Sequence, residues 1–264
     1  MAWRVGPTAL WLYERPRRVR RLEECAFFHT MELPGYGLVR GLWDLRSTID
    51  AYLGHPDLDG KRVLDIGTAS GHLTFEMEKR GARVVSFDAV QWEEVPYAWS
   101  RVEREQRTRD LDAALDRLKN GYWLAHRALG SHARVVYGDV YRLPLALGSF
   151  DVVVMGMILG HLRDPLQALV SAARFTRSVL IVTEGVFEDD RPVGSFAPDA
   201  ATRAPTNIWW SMSAACIVRM LNVLGFEVEV RRASHRCLHG PDGAGEPAEP
   251  RDVPVTTFVA RRGR

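Results

Sequence analysis

Between Arg62 and Asp88 the chain reads as strand, glycine turn, helix, strand and acid in immediate succession. Val63-Leu64-Asp65-Ile66 has the length of a buried strand and runs straight into Gly67-Thr68-Ala69-Ser70-Gly71. Leu73, Phe75, Met77 and Glu78 follow on a helix that stops at Gly81, where glycine supplies the left-handed cap. Arg83 to Asp88 is the second strand, ending in a carboxylate. Two parallel strands joined through a helix need a right-handed crossover, so the unit commits the chain to a parallel sheet.

The alternation continues downstream. Arg134–Tyr137, Phe150–Val154, Ser178–Thr183, Phe226–Val230 and Val255–Val259 read as further strands, the second with a run of valines that suits burial on both faces. Residues 89–133 exceed one crossover, and Leu111, Ala114, Leu115, Leu118 and Tyr122 fall at helical spacing. Asp164-Pro165 is a helix N-cap followed by a first helical proline. Ile217, Met220, Leu221 and Leu224 mark a helix closed by Gly225, and His239 to Pro250 reads as a Gly/Pro-rich loop. The expected fold is a doubly wound, Rossmann-like α/β domain over residues 61–264. Residues 1–60 lack a regular hydrophobic period; with aromatics interleaved among Gly35, Gly37 and Gly41, they are expected to form an N-terminal arm or lid.

Composition narrows the partners. Thirty-five Lys and Arg face 33 Asp and Glu, a net charge of +2, so no bulk field draws nucleic acid or anionic lipid. The dense stretch Arg15, Arg17, Arg18, Arg20, Arg21 reads as a solvated helical face beside Glu23 and Glu24 rather than a phosphate-binding arm. The longest apolar run, Val152 to Gly160, is far short of the roughly 20 residues of a membrane span. Cys25, Cys216 and Cys237 contain no CxxC pair, which argues against a disulfide framework or structural zinc, and no carboxylate or His cluster has metal-ligand spacing. These features suggest a cytoplasmic protein, open to homo-oligomer formation.

The turn at 67–71 suits a ligand that approaches backbone closely at a helix N-terminus. Ala69 and His72 occupy the second and third glycine positions of the GxGxxG dinucleotide fingerprint, and a histidine in the third argues against a nicotinamide. Asp88 lies 21 residues after Gly67, the separation at which a carboxylate reaches ribose hydroxyls. The run VLDIGTASGHLTFEMEKRGARVVSFDA resembles the first motif of class I S-adenosylmethionine-dependent methyltransferases, with Ala69 at that motif's middle glycine. Gly138-Asp139-Val140 resembles the motif whose acid contacts the adenine amine, and FDVVVMGMILGHLRDP the fourth-strand motif bordering the transfer centre. The resemblance implies S-adenosylmethionine as cofactor and a seven-stranded sheet with one antiparallel strand. It also implies a cofactor site drawn from Asp65, Gly67, Thr68, Ala69, Ser70, Gly71, Asp88, Ala89, Asp139, Val140, Met155 and Gly156. LIVTEGVFEDD and NIWWSMSAACIVRMLNVLGFEVEV are similar in layout to the tRNA wobble-uridine carboxymethyl transferases. That subgroup holds a carboxylated cofactor in part by a lysine upstream of the first strand, and residues 1–60 contain none.

A methyl on a sulfonium is already activated, so the protein must align the acceptor, exclude water and, for an O–H or N–H acceptor, take a proton. His161, after the fourth strand, is the first candidate base, and His29 in the arm the second. Tyr36, Trp43, Trp123, His126, Trp209 and Trp210 are candidates for the acceptor pocket, with the 89–133 segment supplying part of its wall. Glu184, ending the fifth strand, reads as a structural carboxylate. The expected activity is methyl transfer to oxygen, nitrogen or carbon of a small organic acceptor, as in natural-product biosynthesis. The alternatives are a tRNA-modifying methyl or carboxymethyl transferase and a catalytically silent cofactor-binding scaffold.

Overall fold

A computed structural model describes residues 12–92, 100–201, 208–239 and 247–263. Seven strands form the main sheet: β1 (Arg62–Ile66), β2 (Arg83–Ala89), β3 (Arg134–Gly138), β4 (Phe150–Gly156), β5 (Thr176–Glu184), β6 (Phe226–His239) and β7 (Pro247–Arg262). Their spatial order is β6-β7-β5-β4-β1-β2-β3. Strands β1 to β5 run parallel, and β7 is antiparallel to both its neighbours. This is the sheet the resemblance implies, with one addition: Trp43–Asp44 pairs with Cys237 and Arg236 of β6 as an eighth, edge strand.

Among the described residues four helices of eight residues or more flank the sheet: α1 (His72–Lys79), α2 (Arg101–Ala128), α3 (Pro165–Phe175) and α4 (Ala214–Val223). Val152, Val153, Val154 and Met155 of β4 are all buried, because helices cover both faces of a parallel strand. Asp164 caps α3 by accepting the Gln167 amide at 2.9 Å, with Pro165 in the first turn. In α2 a Ser100–Glu103 capping box closes the start, and only the C-terminal half is buried. Among the described residues no helix is long and apolar enough to cross a membrane.

Two sequence expectations need correction. The loop expected over 239–250 is strand at both ends: β6 runs to His239 and β7 starts at Pro247, with residues 240–246 outside the described ones. Alternating exposed polar residues hid these outer strand halves, whose register pairs Arg236 with Asp252 and Cys237 with Arg251. The arginine stretch is no helix. Arg17 crosses to Asn120 and Asp116 of α2 at 3.0 and 3.1 Å, and Arg21 bonds Glu24 at 2.6 Å. Within residues 27–43 there is a β-hairpin, Met31–Leu33 against Gly37–Val39, turned by Gly35 and Gly37 in the left-handed region.

Strand order reverses between β1 and β4. A crevice opens there, beyond the carboxyl ends of the two strands, and this is where open α/β sheets bind ligands.

Candidate active site

A cavity of about 550 Å³ occupies that crevice. Its floor is glycine. Gly67 sits at φ 84°, and a Cβ there would lie 2.4 Å from Ile158 Cγ2, so the turn after β1 presses directly on the loop after β4. Gly156, the last residue of β4, faces the Tyr52 hydroxyl in the same way, at 2.7 Å from the position its Cβ would take.

Asp88 is set by its neighbours. The Ala69 amide donates to Oδ2 at 2.6 Å and the Ala89 amide to Oδ1 at 2.7 Å. Each oxygen keeps a second lone pair, the arrangement needed to accept two vicinal hydroxyls. Burial raises the Asp88 pKa, while the Ala89 and Ala69 amides and the Lys119 charge pull it back. Beside it Val140, Val90, Trp92, Leu115 and Leu118 line an apolar slot, with Asp139 and Gln91 as its polar members. Asp139 accepts the Tyr141 amide at 2.9 Å.

The other turn residues work beneath the cavity wall. Asp65 is buried and accepts the Thr74 hydroxyl at 2.6 Å. Thr74 also meets Thr68 at 3.0 Å and Ser86 at 2.7 Å, and Ser86 meets the Tyr122 phenol at 2.9 Å. With Asp65 ionised the chain has one direction: Tyr122 donates to Ser86, Ser86 to Thr74, and Thr74 to the carboxylate. Asp65 Oδ1 has no partner, and burial pushes its pKa up to about 6. Ser70 Oγ accepts the Phe28 amide at 3.0 Å. Gly71, at φ 88°, is the N-cap of α1, where a Cβ would strike the Phe75 ring, and Met155 is buried within β4. The cavity itself meets Gly67, Ala69, Asp88, Ala89, Asp139, Val140 and Gly156 of the expected cofactor set, but not Asp65, Thr68, Ser70, Gly71 or Met155.

Phe28, His29 and Trp43 of the N-terminal segment wall the rest of the cavity, together with Tyr52, Met157, His161, Leu162, Arg163 and Val255. The His29 ring stacks on His72 at 5.3 Å, and its Nδ1 has no protein partner. Burial and the neighbouring His72 hold the His29 pKa well below 6.5, so the imidazole is neutral. His161 ends a single 3-10 turn, Leu159–His161. Glu184 anchors that turn: its carboxylate accepts the Leu159 amide at 2.5 Å and also those of Ile158 and Gly160. Burial pushes the Glu184 pKa up to about 8 against these three donors.

Of the six aromatic and imidazole candidates for the acceptor pocket, the cavity meets Trp43 alone. Trp209 and Trp210 brace the His161 loop instead: the Trp209 amide donates to Gly160 O at 2.7 Å and Trp210 Nε1 to Arg163 O at 3.0 Å. Trp123 and His126 lie on the buried face of α2, where His126 Nε2 meets Ala133 O at 3.0 Å. Tyr36 bonds Arg20 O and Arg127, each at 3.3 Å. Sequence reasoning missed Tyr52, Met157 and Trp92. Only Trp92 carried a signal, its closeness to Asp88; Tyr52 and Met157 reach the cavity through long-range packing.

An adenosyl sulfonium fits this donor set. The Asp88 carboxylate suits a ribose diol, the glycine floor admits a ligand where side chains would block it, and the slot beside Asp139 suits a planar base.

The sequence matches the family described as Methyltransferase domain over residues 44–230. A search of curated proteins found no match. A putative methyltransferase from Bacillus halodurans superposes with a TM-score of 0.54 at 14% identity, covering 83% of this chain and 100% of that one. The N-terminal domain of EvdMO1 with SAH bound gives 0.53 at 19% identity, covering 92% and 93%. Magnesium protoporphyrin IX methyltransferase from Synechocystis with bound SAH gives 0.50 at 15%, covering 83% and 82%. With the family match spanning most of its length and the expected sheet order in place, the chain belongs to the methyltransferase domain family, on the class I S-adenosylmethionine-dependent fold.

Proposed function

We propose that this enzyme transfers the methyl group of S-adenosylmethionine to a small organic acceptor bound between the N-terminal segment and the loop after β4. The observation that carries this reading is the walled cavity at the crevice: about 550 Å³ lies within the range of roughly 300–1,000 Å³ typical of small-molecule sites. Two of the five arginines of the basic stretch are engaged within the protein, Arg17 by Asp116 and Asn120 and Arg21 by Glu24. The EvdMO1 domain, which shares the fold, has been crystallised in the presence of SAH and D-fucose, a small molecule.

The cofactor supplies an electrophilic methyl on a sulfonium. The chain's residues do the rest. Asp88 holds the ribose hydroxyls, and the Gly67 turn lets backbone approach the ligand. Phe28, Trp43 and Leu162 keep water from the reacting atoms. His29, neutral and with a free ring nitrogen, or His161 opposite, receives the proton of an O–H or N–H acceptor.

Calorimetry with S-adenosylmethionine and S-adenosylhomocysteine tests the cofactor, and incubation with small-molecule extracts and, separately, tRNA tests the acceptor. Binding of both ligands with a methylated small molecule found by mass spectrometry is expected. Salt-dependent tRNA binding with a methylated nucleoside would replace this reading by the RNA one. Tight ligand binding without product from either source would favour a silent scaffold.

A further inference from the structure

Tyr52 lies outside every sequence motif, yet its phenol is held firmly at the cavity wall. It ends a single helical turn, Ile49–Tyr52, of the N-terminal segment. Its carbonyl oxygen accepts the Thr183 and Thr257 hydroxyls at 2.8 and 3.0 Å, which pins the residue over β5 and β7. Its ring meets His235 edge-on at 5.2 Å, and the side chain is only 3% exposed. Tyr52 lines the cavity, and no hydrogen bond among the described residues engages its phenol oxygen. It stands 2.7 Å from the position of a Cβ on Gly156, at the end of β4. A hydroxyl fixed this firmly at a cavity wall, with its bonding capacity unspent on the protein, points to a ligand.

The position narrows that ligand to one part. Asp88 lies on one side of the strand-order reversal and holds the nucleoside; His29 and His161 wall the cavity where an acceptor would lose its proton. The sulfonium must sit between them, at the crevice between β1 and β4, which is where Gly156 and the Tyr52 oxygen meet. We propose that Tyr52 is a catalytic residue whose phenol oxygen contacts the sulfonium-bound methyl group, accepting its polarised C–H bonds and directing the methyl toward the acceptor. This rests on the methyltransferase reading above. Burial, together with the Glu184 and Asp65 charges, raises the phenol's pKa, so the oxygen stays a neutral acceptor throughout the working range.

S-adenosylmethionine and S-adenosylhomocysteine differ only in the methyl group and the sulfonium charge that goes with it, so their affinities isolate a contact at the sulfonium methyl without a known acceptor. Tyr52→Phe removes the oxygen and breaks no bond within the protein, and an unchanged thermal midpoint checks that the fold is intact. In calorimetry the variant is expected to bind S-adenosylmethionine about two- to five-fold more weakly, the worth of weak C–H···O contacts, with S-adenosylhomocysteine unchanged. Equal losses for both ligands would overturn the proposal, placing the phenol on a part they share. No loss for either would overturn it as well. Failure of the unmutated protein to bind either ligand would overturn both this proposal and the methyltransferase reading, and is told apart because it needs no variant.

Discussion

The Ser70 hydroxyl accepts the Phe28 backbone amide at 3.0 Å, so the cofactor turn itself holds down the segment that carries His29. The bond is local to the turn on one side and 42 residues away on the other. Ser70→Ala leaves the Phe28 amide without a protein acceptor, at a cost of about 1 kcal/mol. Hydrogen exchange at residues 27–31 is expected to quicken while exchange in β1 and β4 stays slow. Equal quickening everywhere would mean the bond supports the whole domain rather than the segment over the cavity.

Asp88 cannot be replaced even by its amide. Both its oxygens accept backbone amides, from Ala69 and Ala89, and asparagine would turn an NH2 donor toward one of them. Asp88→Asn and Asp88→Ala are therefore both expected to weaken S-adenosylhomocysteine binding by about tenfold or more, as hydrogen bonds to a charged group are lost. Calorimetry on the two variants checks this. An asparagine variant that binds as well as the parent would remove the ribose assignment.

The parts of the site legible in sequence are those whose requirement is local. Gly67 and Gly71 were readable because left-handed backbone and close approach select glycine, and Asp88 because its distance from the turn is set by one helix and one strand. The valine run of β4 announced a doubly covered strand for the same reason. Tyr52 was not readable: its place over Gly156 depends on hydroxyls at Thr183 and Thr257, more than 100 residues further along the chain. Trp123 and His126 show the opposite failure. Helical spacing placed them on the buried face of α2, but periodicity does not say whether that face meets a cavity or, as here, the packed ring of Phe75.

The stacked imidazoles give the fold an acid-sensitive point. Burial lowers the His72 pKa from 6.5 to about 4, with Glu76 and Asp44 opposing the shift and Lys79 and Arg80 adding to it. Above pH 6.5 neither folded nor unfolded chain carries this proton, so His72 makes no difference there. Between 6.5 and about 4 the unfolded chain binds it and the folded chain does not, so stability falls as pH falls; below about 4 the loss is complete. By about pH 5 His72 alone accounts for about 2 kcal/mol. Urea unfolding at about pH 7.5 and pH 5 should show this drop in the parent and a smaller one in His72→Gln. Equal drops in the two proteins would place the acid sensitivity elsewhere.

Two glycines separate backbone strain from pressure on the site. Gly60 and Gly67 both have positive φ, 66° and 84°, but a Cβ on Gly60 meets nothing within 4 Å whereas one on Gly67 meets Ile158 at 2.4 Å. Alanine at either position costs about 1–2 kcal/mol of left-handed strain. Only at Gly67 must the loop bearing Ile158 and His161 also move, against the three amides that Glu184 holds. Gly60→Ala is expected to lose stability and keep its affinity for S-adenosylhomocysteine. Gly67→Ala should lose more stability and bind more than about tenfold more weakly, because the displaced loop closes the crevice the ligand needs. If both variants bound alike, the contact between the turn and the loop after β4 would have no part in shaping the site.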